Sequence, residues 1–247
     1  MRKLRSLFFK LITKTYGTFG ILLIPAPERR LIRRIKKERL TYLSVAKLLS
    51  ITKHCKYVER AQVPGTFVES GCAGGGSAIL IGSIKSENRL LAVYDVFGMI
   101  PPPTERDPVE VHERYRAISE GRATGIDGGR YYGYEENLYR VVEANFERYG
   151  LSPHEKNISL IQGYVEDTLV LDQPVSFAHI DVDWFQPVKT CLERIWPRLE
   201  RGGRVIIDDY YDWGGCRTAT DEFLAQITNR VKLSRHSGAL VIIKTSE

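Results

Sequence analysis

Short apolar runs alternate with amphipathic stretches along most of the chain. Five runs rich in β-branched and aromatic residues begin near residues 66, 90, 158, 177 and 204. Between them apolar residues recur at helical spacing, as in Leu138, Val142 and Phe146. Alternating strands and helices predict an α/β fold with a doubly wound, parallel sheet.

The ends of the chain add to this pattern. Residues 40–57 follow helical spacing before the first strand, and residues 230–235 and 239–244 predict a hairpin across Ser237 and Gly238. We therefore expect seven strands, mostly parallel, with an antiparallel C-terminal hairpin and N-terminal helices. Residues 97–134 interrupt the sheet with a proline run and many Gly and Tyr residues. This insertion is typical of a lid over a substrate, and a variable surface loop is the alternative.

Carboxylates follow two of the predicted strands directly. Asp181 and Asp183 come after the fourth strand, and Asp208 and Asp209 come after the fifth. Parallel strands end at one edge of a sheet, so these side chains should cluster and repel one another. A bound hard cation relieves such repulsion, with Mg²⁺ expected first and Mn²⁺ or Ca²⁺ left open. Alternatively, Asp208 and Asp209 cap a turn and Asp183 is solvated.

A glycine turn follows the first predicted strand. The strand ends in Glu69, the turn runs from Gly71 to Gly76, and the second strand ends in Asp95. Glycines let backbone approach a nucleotide-like ligand, and an acid after the second strand is placed to bind a ribose. The dinucleotide fingerprint is imperfect, because its second glycine falls on Ala73. A purely structural turn with a solvated Asp95 is the alternative.

The distribution of charge divides the chain into two parts, and the cysteine content indicates its cellular setting. Residues 1–40 hold twelve Lys or Arg and two Glu, a net charge of +10, so the remaining residues carry −4 of the overall +6. We therefore divide the chain into a basic amphipathic arm, residues 1–39, and one domain, residues 40–247. The four Cys are scattered without a CxxC pair, which favours a reducing, cytoplasmic setting.

Two roles stay open for the basic arm. Its apolar runs are too short to span a bilayer, but flanking Lys and Arg suit an interfacial helix at an anionic membrane surface. A helix that packs on the domain or on a second subunit is the alternative. We expect no nucleic acid partner, because aromatic residues are not interleaved with the basic ones.

The motifs resemble those of the macrocin O-methyltransferase (TylF/MycF) family. The resemblance rests on residues 69–77, residues 95–98, the Asp181-Val182-Asp183 segment and residues 208–210, and runs from about Leu40 to the C-terminus. It implies a Rossmann-like, S-adenosylmethionine-dependent methyltransferase that modifies sugar hydroxyls on natural products. The segment departs from the usual Asp-Gly-Asp followed by Leu-Tyr, since Val182 and Trp184-Phe185 stand here.

The resemblance also implies residue roles. Asp181, Asp208 and Asp209 would bind Mg²⁺ (or Mn²⁺), and Asp183 would be the general base. His179 is a less favoured base, because it lies deeper in the sheet. Residues implied to hold the cofactor are Glu69, Gly71, Gly74 and Asp95, with Gly163 and Tyr164 near the adenine.

The acceptor and the competing functions follow from these roles. We expect a hydroxyl of a sugar on a natural product or glycan, with a catechol-like phenol as the alternative acceptor and a lipid-linked glycan as a third. A nucleotide-cofactor oxidoreductase would leave the carboxylates without a task, and a non-catalytic scaffold would need no metal ligands. We expect a homo-oligomer in the cytoplasm, with peripheral membrane contact through residues 1–40 if the arm is interfacial.

Overall fold

A seven-stranded sheet forms the centre of the molecule. The computed structural model describes residues 20–227 and 230–245. Its strands are β1 (Thr66–Ser70), β2 (Leu91–Asp95), β3 (Ile158–Gln162), β4 (Val175–Ile180), β5 (Leu199–Ile207), β6 (Val231–His236) and β7 (Ala239–Lys244). Their order is β3-β2-β1-β4-β5-β7-β6, with β1 to β5 parallel and β7 antiparallel to both neighbours. The predicted doubly wound sheet with an antiparallel C-terminal hairpin is confirmed.

Helices cover both faces of this sheet. They are α1 (Ala26–Lys37), α2 (Val45–Arg60), α3 (Gly76–Ile84), α4 (Val109–Ser119), α5 (Leu138–Arg148), α6 (Val165–Thr168), α7 (Phe185–Ile195) and α8 (Gly214–Leu224). The helical spacing had predicted a helix that begins at Leu40, but α2 begins at Val45. The reason is local, because the Ser44 hydroxyl accepts a hydrogen bond from the Lys47 amide and caps the helix there.

Strand alternation divides the core into two layers. Phe67 and Phe177, on neighbouring strands, pack with their ring centroids 5.2 Å apart, on the face covered by α1, α2, α3 and α5. Val68 and Ala178 point to the other face, covered by α7 and α8. Both layers are closely filled, so the strand ends on which the site depends are held rigidly.

The described part of the basic arm packs into the same core. Ile32 and Ile35 of α1 are fully buried, and Glu28 forms an ion pair with Lys56 of α2. Residues 1–19 of the arm lie outside the described residues, and the division at residue 39 stays a prediction. No helix in the described part of the chain is long and apolar enough to cross a membrane.

The insertion at residues 97–134 folds over the carboxyl edge of the sheet. It contains α4, two short 3-10 helices at residues 126–128 and 132–134, and a bridge between Thr124 and Arg130. Its own apolar cluster includes Val111, Ile118 and Tyr131, and it packs on Trp184. The insertion is therefore an ordered cap, and its opening as a lid stays a prediction.

Candidate active site

The predicted acidic residues lie at one edge of the sheet. Asp181 and Asp208 directly follow β4 and β5, and backbone pairing continues through them. The Asp181 amide donates to the Ser70 carbonyl at 2.8 Å, and the Asp208 amide donates to the Ile180 carbonyl at 3.0 Å. Strands β1 and β4 are neighbours in space although β2 and β3 separate them in sequence. The edge is therefore a topological switch point, where open α/β sheets bind ligands.

Three of the carboxylates can share one cation. Asp181, Asp208 and Asp209 each offer an oxygen, and these oxygens all lie within 4.8 Å of one another. The Oδ1 atom of Asp208 and the Oδ2 atom of Asp209 are buried without a hydrogen-bond partner among the described residues. Buried, unpartnered carboxylate oxygens are costly, and an all-oxygen set suits Mg²⁺ or Mn²⁺. The three residues therefore fit a divalent cation, and its binding stays a prediction.

Burial and mutual repulsion perturb these acids. Burial, followed by the charges of Asp208 and Asp209, raises the pKa of Asp181 well above its usual range. Burial, followed by the charges of Asp183 and Asp208, likewise raises the pKa of Asp209 well above its usual range. The cluster thus resists carrying its full negative charge unless a cation neutralises it.

Asp183 lies beside the three but outside their shared set. It lines the same cavity and adopts a φ of 57°, in the left-handed region that Asp and Asn tolerate better than other non-glycine residues. Burial, followed by the charge of Asp208, raises the pKa of Asp183 to about 6. A carboxylate with this pKa is a better base near neutrality than an ordinary Asp.

A lysine from α2 reaches the acidic cluster. Lys47 Nζ lies 2.6 Å from Asp208 Oδ2 and 3.0 Å from Asp212 Oδ2. Burial would lower the pKa of Lys47, but the carboxylates around it raise that pKa above its ordinary value. The pKa of Asp208 is lowered, because Lys47 and then His179 outweigh its burial. Lys47 engages Oδ2 of Asp208, and Oδ1 stays without a hydrogen-bond partner among the described residues.

His179 and Glu69 form a buried pair behind the carboxylates. They are partners across β4 and β1, and His179 Nδ1 lies 2.9 Å from Glu69 Oε1. His179 Nε2 is 3.9 Å from Asp208 Oδ1, an ionic contact rather than a hydrogen bond. Burial would lower the pKa of His179, but Asp208 and Glu69 raise it to about 9. This imidazole is engaged in the core, which agrees with its lower rank as a base.

Asp95 organises the glycine turn. Its Oδ2 accepts hydrogen bonds from the amides of Cys72 at 2.7 Å and Ala73 at 3.2 Å, and its Oδ1 accepts one from Phe97 at 2.7 Å. Asp95 also lines the cavity. It therefore fixes the turn and retains lone pairs that a ribose hydroxyl could use, and its cofactor role stays a prediction.

Two of the predicted glycines serve close approaches within the chain. Gly71 has a φ of +82°, and a Cβ there would lie 1.9 Å from the Asp181 carbonyl oxygen. A Cβ on Gly74 would lie 2.9 Å from the Leu40 carbonyl oxygen. Gly71 lines the cavity, whereas Gly74 and Glu69 face other parts of the chain. Cofactor contacts by these three residues stay predictions.

A smaller cavity extends from the glycine turn. It measures about 50 Å³ and is lined by Asp95, Gly163 and Tyr164 among others. Gly71 and Asp95 line both cavities, so the two are continuous at the turn. Gly163 and Tyr164, predicted near an adenine, and Asp95, predicted at a ribose, thus line one groove.

The larger cavity has acidic and aromatic walls. Its volume is about 480 Å³. Besides the carboxylates, it is lined by Tyr42, Arg114, Tyr131, Tyr132, Trp184 and Trp213. The rings of Tyr42 and Tyr132 meet edge to face at 5.8 Å, and those of Trp184 and Trp213 at 5.5 Å. Such walls suit a flat or cyclic acceptor with polar substituents.

Two contacts hold the cap over this cavity. Trp184 Nε1 donates to the Pro101 carbonyl at 2.9 Å. Asp107 Oδ1 accepts from the Phe185 amide at 2.8 Å, so a carboxylate from the cap lies at the N-terminus of α7. The residues that follow Asp183 therefore connect the acidic edge to the cap.

Lys47, Asp107 and Arg114 were not predicted as site residues from the sequence. Lys47 meets Asp208 across 161 residues, and Asp107 meets Phe185 across 78. No local motif indicates such contacts. Arg114 lies within the predicted insertion, and a basic residue among the Tyr and Gly residues was the only available signal.

Comparisons with known proteins identify the family and support the fold. The family model for macrocin O-methyltransferase (TylF) matches residues 29–234. A Streptomyces olivaceus 8-demethyl-8-(2,3-dimethoxy-alpha-L-rhamnosyl)-tetracenomycin-C 4'-O-methyltransferase is 32% identical over 65% of this chain and 58% of its own length. Mycinamicin III 3''-O-methyltransferase of Micromonospora griseorubida is 28% identical over 72% of this chain and 67% of its own. The chain thus spans less than two thirds of the first of these relatives.

A solved structure supports the fold. The O-methyltransferase NovP superposes with a TM-score of 0.70 at 24% identity, covering 84% of this chain and 83% of the other. The architecture is therefore that of the Rossmann-like methyltransferases. The chain belongs to the macrocin O-methyltransferase family, which confirms the resemblance drawn from the sequence. The match begins at residue 29, within α1, earlier than the motifs had indicated.

Proposed function

We propose that this protein transfers the methyl group of S-adenosylmethionine to a hydroxyl of a sugar on a natural product or glycan. One observation carries the proposal. The glycine turn with Asp95 and the three converging carboxylates, Asp181, Asp208 and Asp209, line one cavity. Methyl transfer needs donor and acceptor held in line, and binding groups for both in one cavity would provide that alignment.

The chain's own residues supply binding and proton transfer. Asp95 and the turn at Gly71 would hold the donor, with Gly163 and Tyr164 along its groove. Asp181, Asp208 and Asp209 would hold Mg²⁺ or Mn²⁺, which when bound lowers the pKa of a coordinated hydroxyl. Asp183 would accept the hydroxyl proton, a contribution of roughly 10²- to 10⁴-fold in rate.

A sugar acceptor agrees with the walls of the cavity and with the relatives. Tyr42, Tyr131 and Tyr132 offer ring faces and hydroxyl groups, and the carboxylates line the same cavity. By name, one relative methylates a rhamnosyl group and another methylates mycinamicin III at a 3'' oxygen. Vicinal hydroxyls on a sugar or on a catechol could both reach a cation, so the acceptor must be decided by experiment.

Two experiments test the proposal: a calorimetric titration and then a turnover assay. Purified protein is titrated with S-adenosylmethionine and, separately, with NADH. It is then incubated with S-adenosylmethionine and panels of hexosyl glycosides, nucleotide sugars and catechols, with Mg²⁺ or with a chelator. Donor binding without NADH binding, and methylation of a sugar that the chelator stops, would support it. Catechol methylation would replace the acceptor, chelator-resistant turnover would remove the cation, and absent donor binding in folded protein would reject the class.

A further inference from the structure

The exposed face of α1 carries a stripe of cations. Arg30, Arg33 and Lys37 lie three and four residues apart, so they share one side of the helix. Ile32 and Ile35 on the other side are fully buried in the core. Within residues 20–227 and 230–245, the ion pairs of this region involve Glu28, Glu38 and Asp127, and none of them reaches the three cations of the stripe.

Two exposed leucines precede this stripe. Leu22 is 55% exposed and Leu23 is 86% exposed, although burying a leucine in an apolar phase is favourable by roughly 1.5–3 kcal/mol. They lie eight and seven residues before Arg30, the first cation of the stripe. Apolar side chains beside cations are the pattern of an interfacial segment, and neither feature has a partner in the core.

We propose that Leu22, Leu23, Arg30, Arg33 and Lys37, here called the basic surface, bind an anionic lipid bilayer. The leucines would enter the boundary of the acyl chains, and the cations would contact lipid phosphates. Charge segregation orients the molecule, because residues 41–247 carry −4 and an anionic bilayer repels them.

A bilayer fits the basic surface better than other partners. A nucleic acid would match the cations but gain nothing from Leu22 and Leu23. A second copy of the chain would have to supply both an apolar recess and several unpaired carboxylates. Residues 1–19, whose sequence contains five Lys or Arg and no acid, extend the same charge along the chain.

The C-terminal end of α1 lies near the candidate site. It leads through Leu40, beside the glycine turn, into Thr41 and Tyr42, which line the larger cavity. Arg39 Nε, two residues after α1, lies 3.1 Å from Asp127 Oδ2 in the cap. The N-terminal end of α1 lies near the C-terminal end of α2, because Glu28 pairs with Lys56. Bilayer binding by the basic surface therefore does not rest on the proposed function and is tested without it.

Vesicle co-sedimentation of the full chain tests the proposal without donor or acceptor. Phosphatidylcholine vesicles are compared with vesicles that also contain phosphatidylglycerol, at low and high salt. We expect binding only to the anionic vesicles. The Arg30→Gln, Arg33→Gln, Lys37→Gln triple variant should bind on the order of 100-fold more weakly. Leu22→Ser with Leu23→Ser should weaken binding about tenfold or more, with the same salt dependence as the wild type.

A matched control separates this surface from bulk charge. Arg198, Arg201 and Lys232 are also exposed, they lie near the amino ends of β5 and β6, and none of them is on α1 or α2. Their triple replacement by Gln removes the same charge and should leave vesicle binding unchanged. The proposal would be overturned if both triple variants lost the same affinity for vesicles. It would also be overturned if the two leucine replacements left vesicle binding unchanged. A third contrary result would be a variant of the basic surface that has a lower molar mass in light scattering but still binds vesicles. That result would assign the surface to contact with a second copy of the chain.

Circular dichroism melting must first show that each variant is folded. Methylation of a water-soluble acceptor should be unchanged in the Gln and Ser variants of the basic surface. A protein without methyltransferase activity that still binds anionic vesicles would reject the proposed function and leave the basic surface intact. An active enzyme that does not bind anionic vesicles would reject the role of the basic surface and leave the proposed function intact.

Discussion

Lys47 Nζ lies 2.6 Å from Oδ2 of Asp208, and the Lys47 and Asp208 side chains are only 15% and 4% exposed. The Lys47 ammonium group thus neutralises part of the negative charge of the acidic cluster. It engages Oδ2 of Asp208, and Oδ1 has no hydrogen-bond partner among the described residues. The fold can therefore tolerate the cluster before any metal ion arrives.

Removal of this cation should make the fold depend on added metal. Lys47→Met leaves Asp208 buried and unpaired, so the free energy of unfolding should fall by about 3 kcal/mol in the presence of a chelator. Mg²⁺ should then raise the stability of the variant more than that of the wild type. Urea denaturation with and without Mg²⁺ measures both effects. Lys53→Met, an exposed position on the same helix, is the control, and equal stability of the two variants in chelator would contradict the expectation.

Asp181 should be required for the metal and not for the fold. Asp181→Asn replaces one charged oxygen ligand with a neutral one of the same shape, so Mn²⁺ binding by calorimetry should weaken at least tenfold. Methyl transfer should fall with it, while the melting temperature in chelator should stay level or rise, because one repelling charge is gone. A variant with full activity would remove Asp181 from the metal set.

Asp183 should act in the chemical step. Asn is the suitable replacement, because it accepts the left-handed backbone that this position adopts. With the base removed, kcat should fall by roughly 10²- to 10⁴-fold. The dissociation constant of S-adenosylmethionine, measured by calorimetry, should change little, because Asp95 and the glycine turn are proposed to hold the donor. If single-turnover experiments gave the wild-type rate constant, another group would have to take the proton.

Arg114 should recognise the acceptor. It lines the larger cavity and has no ion pair among the described residues, so its charge is available to an acceptor oxygen. Arg114→Gln should raise the KM for the acceptor about tenfold, the loss expected for a hydrogen bond to a charged group. Donor affinity should be unchanged. Arg116→Gln, exposed on the same helix, is the matched control, and equal effects of both changes would exclude a specific role.

The sequence predicted the elements whose signals are local. Runs of apolar residues that end in acids predicted the strands and brought Asp181, Asp208 and Asp209 to one edge. The start of α2 was predicted wrongly at Leu40. Leu40 and Leu43 are buried at helical spacing, yet they belong to an extended segment that packs beside the glycine turn. Burial of a segment produces periodicity whether or not the segment is helical.

Contacts between distant segments could not be predicted. Lys47 looked like one more solvent-facing lysine on a helix, because nothing near it in sequence names Asp208 as its partner. Gly74 is required where the Leu40 backbone crosses it, a contact that the glycine motif does not indicate. These relationships depend on how α1 and α2 lie against the sheet edge, which packing decides and local patterning does not.

A buried histidine away from the site should make stability fall in mild acid. His54 on α2 is nearly fully buried, and its Nδ1 accepts a hydrogen bond from the guanidinium of Arg204 on β5. The Arg204 guanidinium also lies 3.5 Å from the centroid of the Tyr57 ring. Burial, then the charge of Arg204, lowers the pKa of His54 to about 3.

The sign of the effect follows from these values. The unfolded chain protonates this imidazole below a pKa of about 6.5, and the folded chain does so only near 3. Between these two values the unfolded state binds more protons. The free energy of unfolding therefore declines as pH is lowered from 6.5, by up to about 1.4 kcal/mol per pH unit from this group.

His54→Asn isolates this contribution. The Asn side-chain oxygen can accept the Arg204 hydrogen bond without titrating, so the variant should lose less stability than the wild type between pH 6.5 and about 5. Urea denaturation across this range measures the difference, which should approach about 2 kcal/mol at the acid end. The exposed His154, replaced by Asn, is the control. Parallel pH profiles for the wild type and His54→Asn would show that the folded protein protonates His54 as readily as the unfolded chain does.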